Sequence, residues 1–351
     1  EDIAREIADE IQITLGDKHR RVAVARPAVP SPASYEAYDL YLKGLYFWNK
    51  RTVPGFQQAI EYFQQAIAKD PNYAPAYAGL ANSYDLIGGY SLTPQADFIS
   101  KARAAALRAL ELDDNLPEAH TALALIVQNY DWDWQTAEKE YRRAIELNPS
   151  YATAHQWYAE QLGYMGRFED AFRESDQARQ LDPLSLIIAS DRGALLYYSR
   201  QYDRAVEQLR SVQEMDSNFP RANSVVIYAY VEDGRFAEAL ATMEKAHRTG
   251  GDSPWSWSML AYIYGRSGQP EQARRALDKL KQLNQRQQVD AVAFIWAYLG
   301  MNDKKETLTW LERAYAQHSN VMTTLKVEPA FDPLRSDPRF QELLRRAGLA
   351  K

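Results

Sequence analysis

Apolar and small residues recur along this chain at two intervals, one short and helical, one long and fixed. Ala137, Ala171, Ala205, Ala239, Ala273 and Thr307 are separated by five successive steps of 34 residues. One clean unit sets the register, because Tyr158, Ala159, Leu162, Ala171, Ser175 and Ala178 lie between Ala152 and Pro183. Apolar positions at i, i+3, i+4 and i+7 predict amphipathic helices, two per unit. Small residues at the stepped positions let the two helix axes approach to about 8–10 Å. Gly193…Ala205, Ile227…Ala239, Ala261…Ala273 and the looser Ile295…Thr307 repeat that pairing. Gly166-Arg167-Phe168, Gly234-Arg235-Phe236 and Gly268-Gln269-Pro270 fit the turn inside a unit, where a helix end commonly needs a left-handed residue. Asp70-Pro71, Asn148-Pro149 and Asp182-Pro183 end second helices, since proline cannot continue them.

Counting outward from the clean unit gives eight units over residues 36–317. Toward the N-terminus the period stretches. Ala102 to Ala137 is 35 residues, one too many, and Ala59 to Ala102 is 43, nine too many. The nine fall around Gly88–Pro94, and three more extra residues fall near Thr52-Val53-Pro54-Gly55. Such insertions are expected in loops. The array stops after Ala314. Ser336-Asp337-Pro338 then starts a last helix with Phe340, Leu343 and Leu344 on its apolar face. Residues 318–351 are expected to cap the final unit, which otherwise leaves an apolar face bare. At the other end Ile3, Ile7, Ile11 and Leu15 form one stripe, predicting a helix over residues 1–16. Residues 17–35 hold Lys18, Arg20, Arg21, Arg26 and three prolines, and are expected to be a linker. A helical pattern that starts so abruptly is expected to be the tail of a preceding domain.

Composition narrows the function classes. The chain has 351 residues, too many for one ordinary core but suited to an array whose units touch only their neighbours. Its formal charge of −6 gives no reason to expect nucleic-acid contact. Cysteine is absent, which excludes disulfides and thiolate metal sites. No apolar stretch approaches the roughly 20 residues that span a bilayer. No signal peptide is visible, and a cytoplasmic setting is expected.

The 34-residue period, with the large residue at His155, the pair Tyr158-Ala159, Leu162, Ala171 and Pro183 at set offsets, resembles the tetratricopeptide repeat family over residues 37–317. The resemblance implies an all-α fold, a right-handed α-solenoid of about eight helix–turn–helix repeats with a C-terminal capping helix. Three stretches carry a closer likeness: Tyr38-Asp39-Leu40-Tyr41-Leu42-Lys43-Gly44, Trp132-Asp133-Trp134 with Ala154–Ala159, and Leu334–Phe340. Together they are similar to the C-terminal array of bacterial multidomain regulators, which follows a winged-helix, cyclase or kinase domain. None of those upstream signatures lies in this chain.

The chemistry that remains is binding. His19, His120, His155, His247 and His318 have no partner at a metal-ligand spacing, and no phosphate loop or nucleophile elbow is present. Asp131-Trp132-Asp133-Trp134 is expected to supply tryptophan packing and helix-start acids. No catalytic group, metal or cofactor is expected. In the family the first helices line the concave face, and the inward slots hold Tyr38, Tyr41, Trp48, Asn82, Trp157, Tyr164, Tyr197, Tyr198, Tyr228, Tyr262 and Trp296. Tyr and Trp combine large contact area with few rotamers. A groove lined this way suits an extended peptide or amphipathic helix, unless the rings pack on neighbouring helices. Chaperone-binding arrays clamp a carboxylate from slots that hold Tyr41, Leu45, Ala78 and Asn82 here, and only Asn82 fits. The expected function is a non-catalytic scaffold for a protein or peptide segment. Self-association of the parent protein and small-ligand sensing in the concavity are the alternatives.

Overall fold

The computed structural model describes residues 32–91 and 96–350. The helix expected over residues 1–16 and most of the expected linker lie outside them, as do Leu92, Thr93 and Pro94 of the second insertion. The first described helix starts at Pro32, inside the segment expected to be linker.

Among the described residues, sixteen α-helices form eight antiparallel pairs: α1 Pro32–Trp48 with α2 Val53–Lys69, α3 Ala74–Ser91 with α4 Ala96–Leu112, and α5 Pro117–Ile126 with α6 Trp134–Leu147. Then follow α7 Ala152–Tyr164 with α8 Phe168–Leu181, α9 Leu186–Tyr198 with α10 Tyr202–Met215, and α11 Pro220–Glu232 with α12 Phe236–Gly250. The last pairs are α13 Pro254–Arg266 with α14 Pro270–Arg286, and α15 Ala291–Gly300 with α16 Lys304–Ala316. The contact alanines Ala137, Ala171, Ala205, Ala239 and Ala273, and Thr307 after them, have no solvent exposure. These positions hold the pairs together.

Each inter-helix turn repeats one backbone device. Positions 132, 166, 200, 234, 268 and 302, again 34 apart, all sit in the left-handed region, with φ between 53° and 79°. Gly166, Gly234 and Gly268 occupy three of these slots at little cost. Trp132, Arg200 and Asn302 occupy the others, Arg51 (φ 51°) holds the corresponding place in the first pair, and His318 (φ 51°) takes the same conformation just after α16. A bulky left-handed residue costs on the order of 1 kcal/mol, so these side chains are retained against a local penalty.

The insertions resolve in two ways. The single extra residue before Ala137 is absorbed by a π-helical turn, Val127–Asp131, inserted between α5 and Trp134. Part of the nine-residue insertion extends α3 to Ser91 and carries no loop of its own there.

After α16 the chain runs back into the concave face. Two 3₁₀ turns, Asn320–Thr324 and Pro329–Leu334, precede the last helix α17, Pro338–Arg346. Asp337 caps α17 through the Arg339 N–H at 2.8 Å. Phe340, Leu343 and Leu344 are buried as the sequence predicts. The cap does more than cover the last repeat, because it also reaches the third. Trp134 donates its indole N–H to the Ala347 carbonyl at 2.8 Å. His318 Nδ1 bonds the Tyr130 carbonyl at 2.8 Å, and its ring stacks on Trp132 at 5.0 Å and 10°. Asp133 is the N-cap of α6, accepting from the Thr136 N–H at 3.1 Å, and Asp131 pairs with Arg103 at 2.8 Å. The two acids of this motif are therefore helix-start and surface groups.

Candidate functional site

The first helices of successive repeats point fixed positions inward, and rows stepped by 34 line the interior. Ile187, Arg221 and Trp255 form one such row, and Glu160, Tyr228 and Trp296 fall on another at double steps. Between them lies a cavity of about 850 Å³. That volume falls in the roughly 300–1,000 Å³ of small-molecule sites. Trp157, Tyr164, Tyr198, Tyr228 and Trp296 line it, as expected for inward slots.

The other expected groove residues do different work. Tyr197 and Tyr262 are buried behind the cavity wall, where the Tyr197 hydroxyl donates to Glu328 and that of Tyr262 to Glu232 at 2.5 Å. Trp48 packs edge-on against Trp157, with ring centroids 6.1 Å apart. Asn82 is buried with its Oδ1 unpartnered among the described residues. Tyr41 is half-buried against Phe63 and Tyr73, at 5.8 and 5.6 Å. Tyr38 is half-exposed on α1 and turned away from the concavity.

From Tyr197 onward the concave face is occupied by the chain's own C-terminal segment. Arg200, in its left-handed slot, donates to the Val327 carbonyl at 3.2 Å and to Asp332 at 2.9 Å. Phe331 lies against Trp296, with ring centroids 6.4 Å apart. The interior is thus a partly enclosed chamber in its second half and not the continuous aromatic groove that the slot pattern suggests. Long-range closure of this kind leaves no periodic mark in the sequence.

Charged groups that composition could not place converge on the chamber. Arg221 donates to Asp191 at 2.7 Å and to Glu160 at 3.1 Å, and Gln156 donates to the other Asp191 oxygen at 2.6 Å. Burial pushes Glu160 up to about 8, helped by the Asp191 charge and opposed by Arg221. Burial also pushes Asp85 up to about 7 against the Asn129 hydrogen bond, and Glu328 up to about 7 against the Tyr197 hydrogen bond. Burial disfavours the Arg221 charge, but Asp191 and Glu160 more than offset it. Their positions on inward rows are the one signal that points to Glu160 and Arg221 in the sequence. Asp85 and Glu328 have none.

These acids give the fold a pH dependence of defined sign. Asp85 rises from an ordinary 3.8 to about 7, so the folded chain holds a proton that the unfolded chain has lost over that interval. Stability is therefore present below about pH 4 and is lost as pH rises through about 7. Asp85→Asn is expected to raise the thermal midpoint at pH 8 and leave it nearly unchanged at acidic pH. Melting curves at the two pH values check this. An equal effect at both would remove Asp85 as the source.

Among the described residues no group of three or more His, Asp or Glu side chains is placed to hold a metal ion. No described helix is long and apolar enough to cross a membrane.

Paired helices stepped by 34, buried small residues at the crossings and inward first helices define an α-solenoid of short helical repeats. Residues 190–293 carry tetratricopeptide repeats: models of that repeat match residues 190–254 and 230–293. The transcriptional regulator HilA of Salmonella typhimurium is 26% identical over 187 residues, 52% of this chain. The match spans 34% of HilA, about a third of that protein's length. Superkiller protein 3 of Schizosaccharomyces pombe is 24% identical over 217 residues, covering 60% of this chain and 15% of that protein. A chain of the APC/C hetero-tetramer Cut9–Hcn1 superposes with a TM-score of 0.59 at 15% identity, over 88% of this chain and 55% of that one. Human IFIT1 superposes with a TM-score of 0.56 at 18% identity, over 89% and 76%. At these identities the structural likeness speaks for the fold alone.

Proposed function

We propose that the array is the non-catalytic docking module of a larger bacterial regulator, and that it docks a second copy of itself through the outer face of α1. The supporting observation is where apolar surface remains free. Tyr35, Tyr38, Leu42 and Tyr46 are 58%, 51%, 44% and 62% exposed, spaced three and four residues apart along one helix face. A continuous stripe of this kind on the first described helix marks an interaction surface, unlike scattered exposed residues. The concave face offers no comparable room for a chain segment where Asn320–Leu334 already lies.

Charge favours a second copy as the occupant. Asp39 and Lys43 pair at 2.6 Å on this exposed face. An antiparallel, two-fold packing of α1 on α1 pairs position 38 with 42 and position 35 with 46. It also sets Asp39 of each copy opposite Lys43 of the other, as an isologous contact requires. The likeness to HilA supports placing the module in a transcription regulator.

Light scattering on the chain tests the reading. A dimer is expected, and Tyr38→Glu with Tyr46→Glu is expected to give a monomer with an unchanged melting temperature. A monomer at all concentrations, or a dimer indifferent to both changes, removes it.

A further inference from the structure

One cation in the chamber has no hydrogen-bond acceptor among the described residues. Arg51 is 2% exposed and lines the cavity. Its guanidinium lies over the Trp48 ring at 3.5 Å, and no described residue accepts a hydrogen bond from it or forms a salt bridge with it. Arg221, on the same chamber, has both Asp191 and Glu160. A buried guanidinium without an acceptor is costly, because its charge loses water and the Trp48 ring and the more distant Asp191 and Glu160 charges return only part of that. The backbone adds to this, since Arg51 holds a left-handed slot that glycine fills in other repeats. Two penalties at one residue point to a side chain kept for what enters the chamber.

The chemistry of the walls narrows the occupant. A guanidinium that lies over an aromatic ring offers its N–H groups at its edge, the geometry that matches a planar two-oxygen acceptor. Tyr90, Trp157, Tyr164, Tyr198, Tyr228 and Trp296 supply ring faces around the remaining space. The other ionisable groups on the chamber include Asp85, Glu160, Asp191 and Glu328, with Lys245, which reaches the Ser217 carbonyl at 3.5 Å, and Arg221, which is already neutralised by its pair. One buried guanidinium without an acceptor suits a single negative charge better than a polyanion such as a nucleotide or an RNA strand.

We propose that the chamber binds a small aromatic monocarboxylate, with its carboxylate on Arg51 and its ring between the tyrosine and tryptophan faces. This site is separate from the α1 face and does not depend on dimerisation. The absence, among the described residues, of any hydrogen-bonding partner for a buried arginine carries it.

Benzoate, phenylacetate and indole-3-acetate are the probes, titrated into the intact chain and followed by tryptophan fluorescence and thermal shift. Matched neutral amides and inorganic phosphate are the controls. At least one acid is expected to saturate while its amide does not. Arg51→Gln is expected to weaken that binding by about tenfold or more, and Arg51→Lys to keep part of it. Arg51→Gln is also expected to melt no lower than the parent without ligand, since it removes a charge that is only partly compensated. A lower melting temperature with unchanged binding would assign Arg51 a purely structural role and overturn the proposal. So would equal binding of amide and acid, tighter binding of phosphate, or no response to any of the acids. Lys50→Gln, on the exposed neighbour, is expected to change nothing and separates a local charge effect from a general one.

Discussion

Gly265→Ala is expected to destabilise the chain by about 3 kcal/mol, although alanine is the better helix former. Propensity favours alanine by about 1 kcal/mol in a helix interior. Packing opposes it, because α13 and α15 cross at Gly265 and Gly300. A Cβ on Gly265 would stand 2.3 Å from the Gly300 carbonyl oxygen and 2.4 Å from its carbon. A Cβ on Gly300 would stand 2.4 Å from the Tyr262 Cα. These neighbours are backbone and cannot rotate away, so the axes must part and uncover buried surface on both helices. Urea unfolding of Gly265→Ala and Gly300→Ala measures the effect. A midpoint equal to or above the parent's would mean that the helices do not cross this closely. Gly163→Ala is an informative contrast, since its Cβ meets the Leu195 side chain, which can move. A smaller loss is expected there.

Phe331→Ala is expected to cost about 3–5 kcal/mol, the range for emptying a buried aromatic site. Phe331 has no exposure and packs against Trp296 and, at 5.7 Å, Phe340. It joins the C-terminal segment to the inner wall and to the capping helix at once. Its loss is therefore expected to free the segment around Glu328, which Tyr197 and Arg200 then hold alone. Limited proteolysis should cut Phe331→Ala within residues 319–337 faster than the parent, while α1–α12 stay resistant. Unaltered cleavage and an unaltered melting curve would show that the segment is held by its polar contacts.

Both predictions rest on contacts of different legibility. The Gly265–Gly300 crossing lies between neighbouring repeats, but neither glycine recurs at the 34-residue step: position 300 lies 34 after Arg266, and position 299, 34 after Gly265, is leucine. Phe331 follows no repeat. The same contrast runs through the candidate site. Trp157, Tyr164, Tyr198, Tyr228 and Trp296 were legible because inward slots recur with the helical and the 34-residue periods together. Whether a ring in such a slot faces the cavity or packs behind it was not, as Tyr197 and Tyr262 demonstrate. Adjacent positions such as 197 and 198 differ by one step around the helix, and the neighbouring helix decides which of them is covered. The left-handed slots were legible where glycine fills them and silent at Arg51, Trp132, Arg200 and His318, because those residue types carry no turn signal.

By itself the sequence determined the helices, their pairing, the count of eight repeats and the start of the capping helix. Those features depend on neighbours within about one repeat, and local periodicity records them. Only the tertiary structure decided that the array curls back until Trp134 meets Ala347, 213 residues along the chain. It alone placed the C-terminal segment in the concave face and left Arg51 in a chamber without a hydrogen-bond acceptor among the described residues. The reason is physical: each repeat adds a small rotation, and the summed curvature brings together residues whose sequence positions share no common interval.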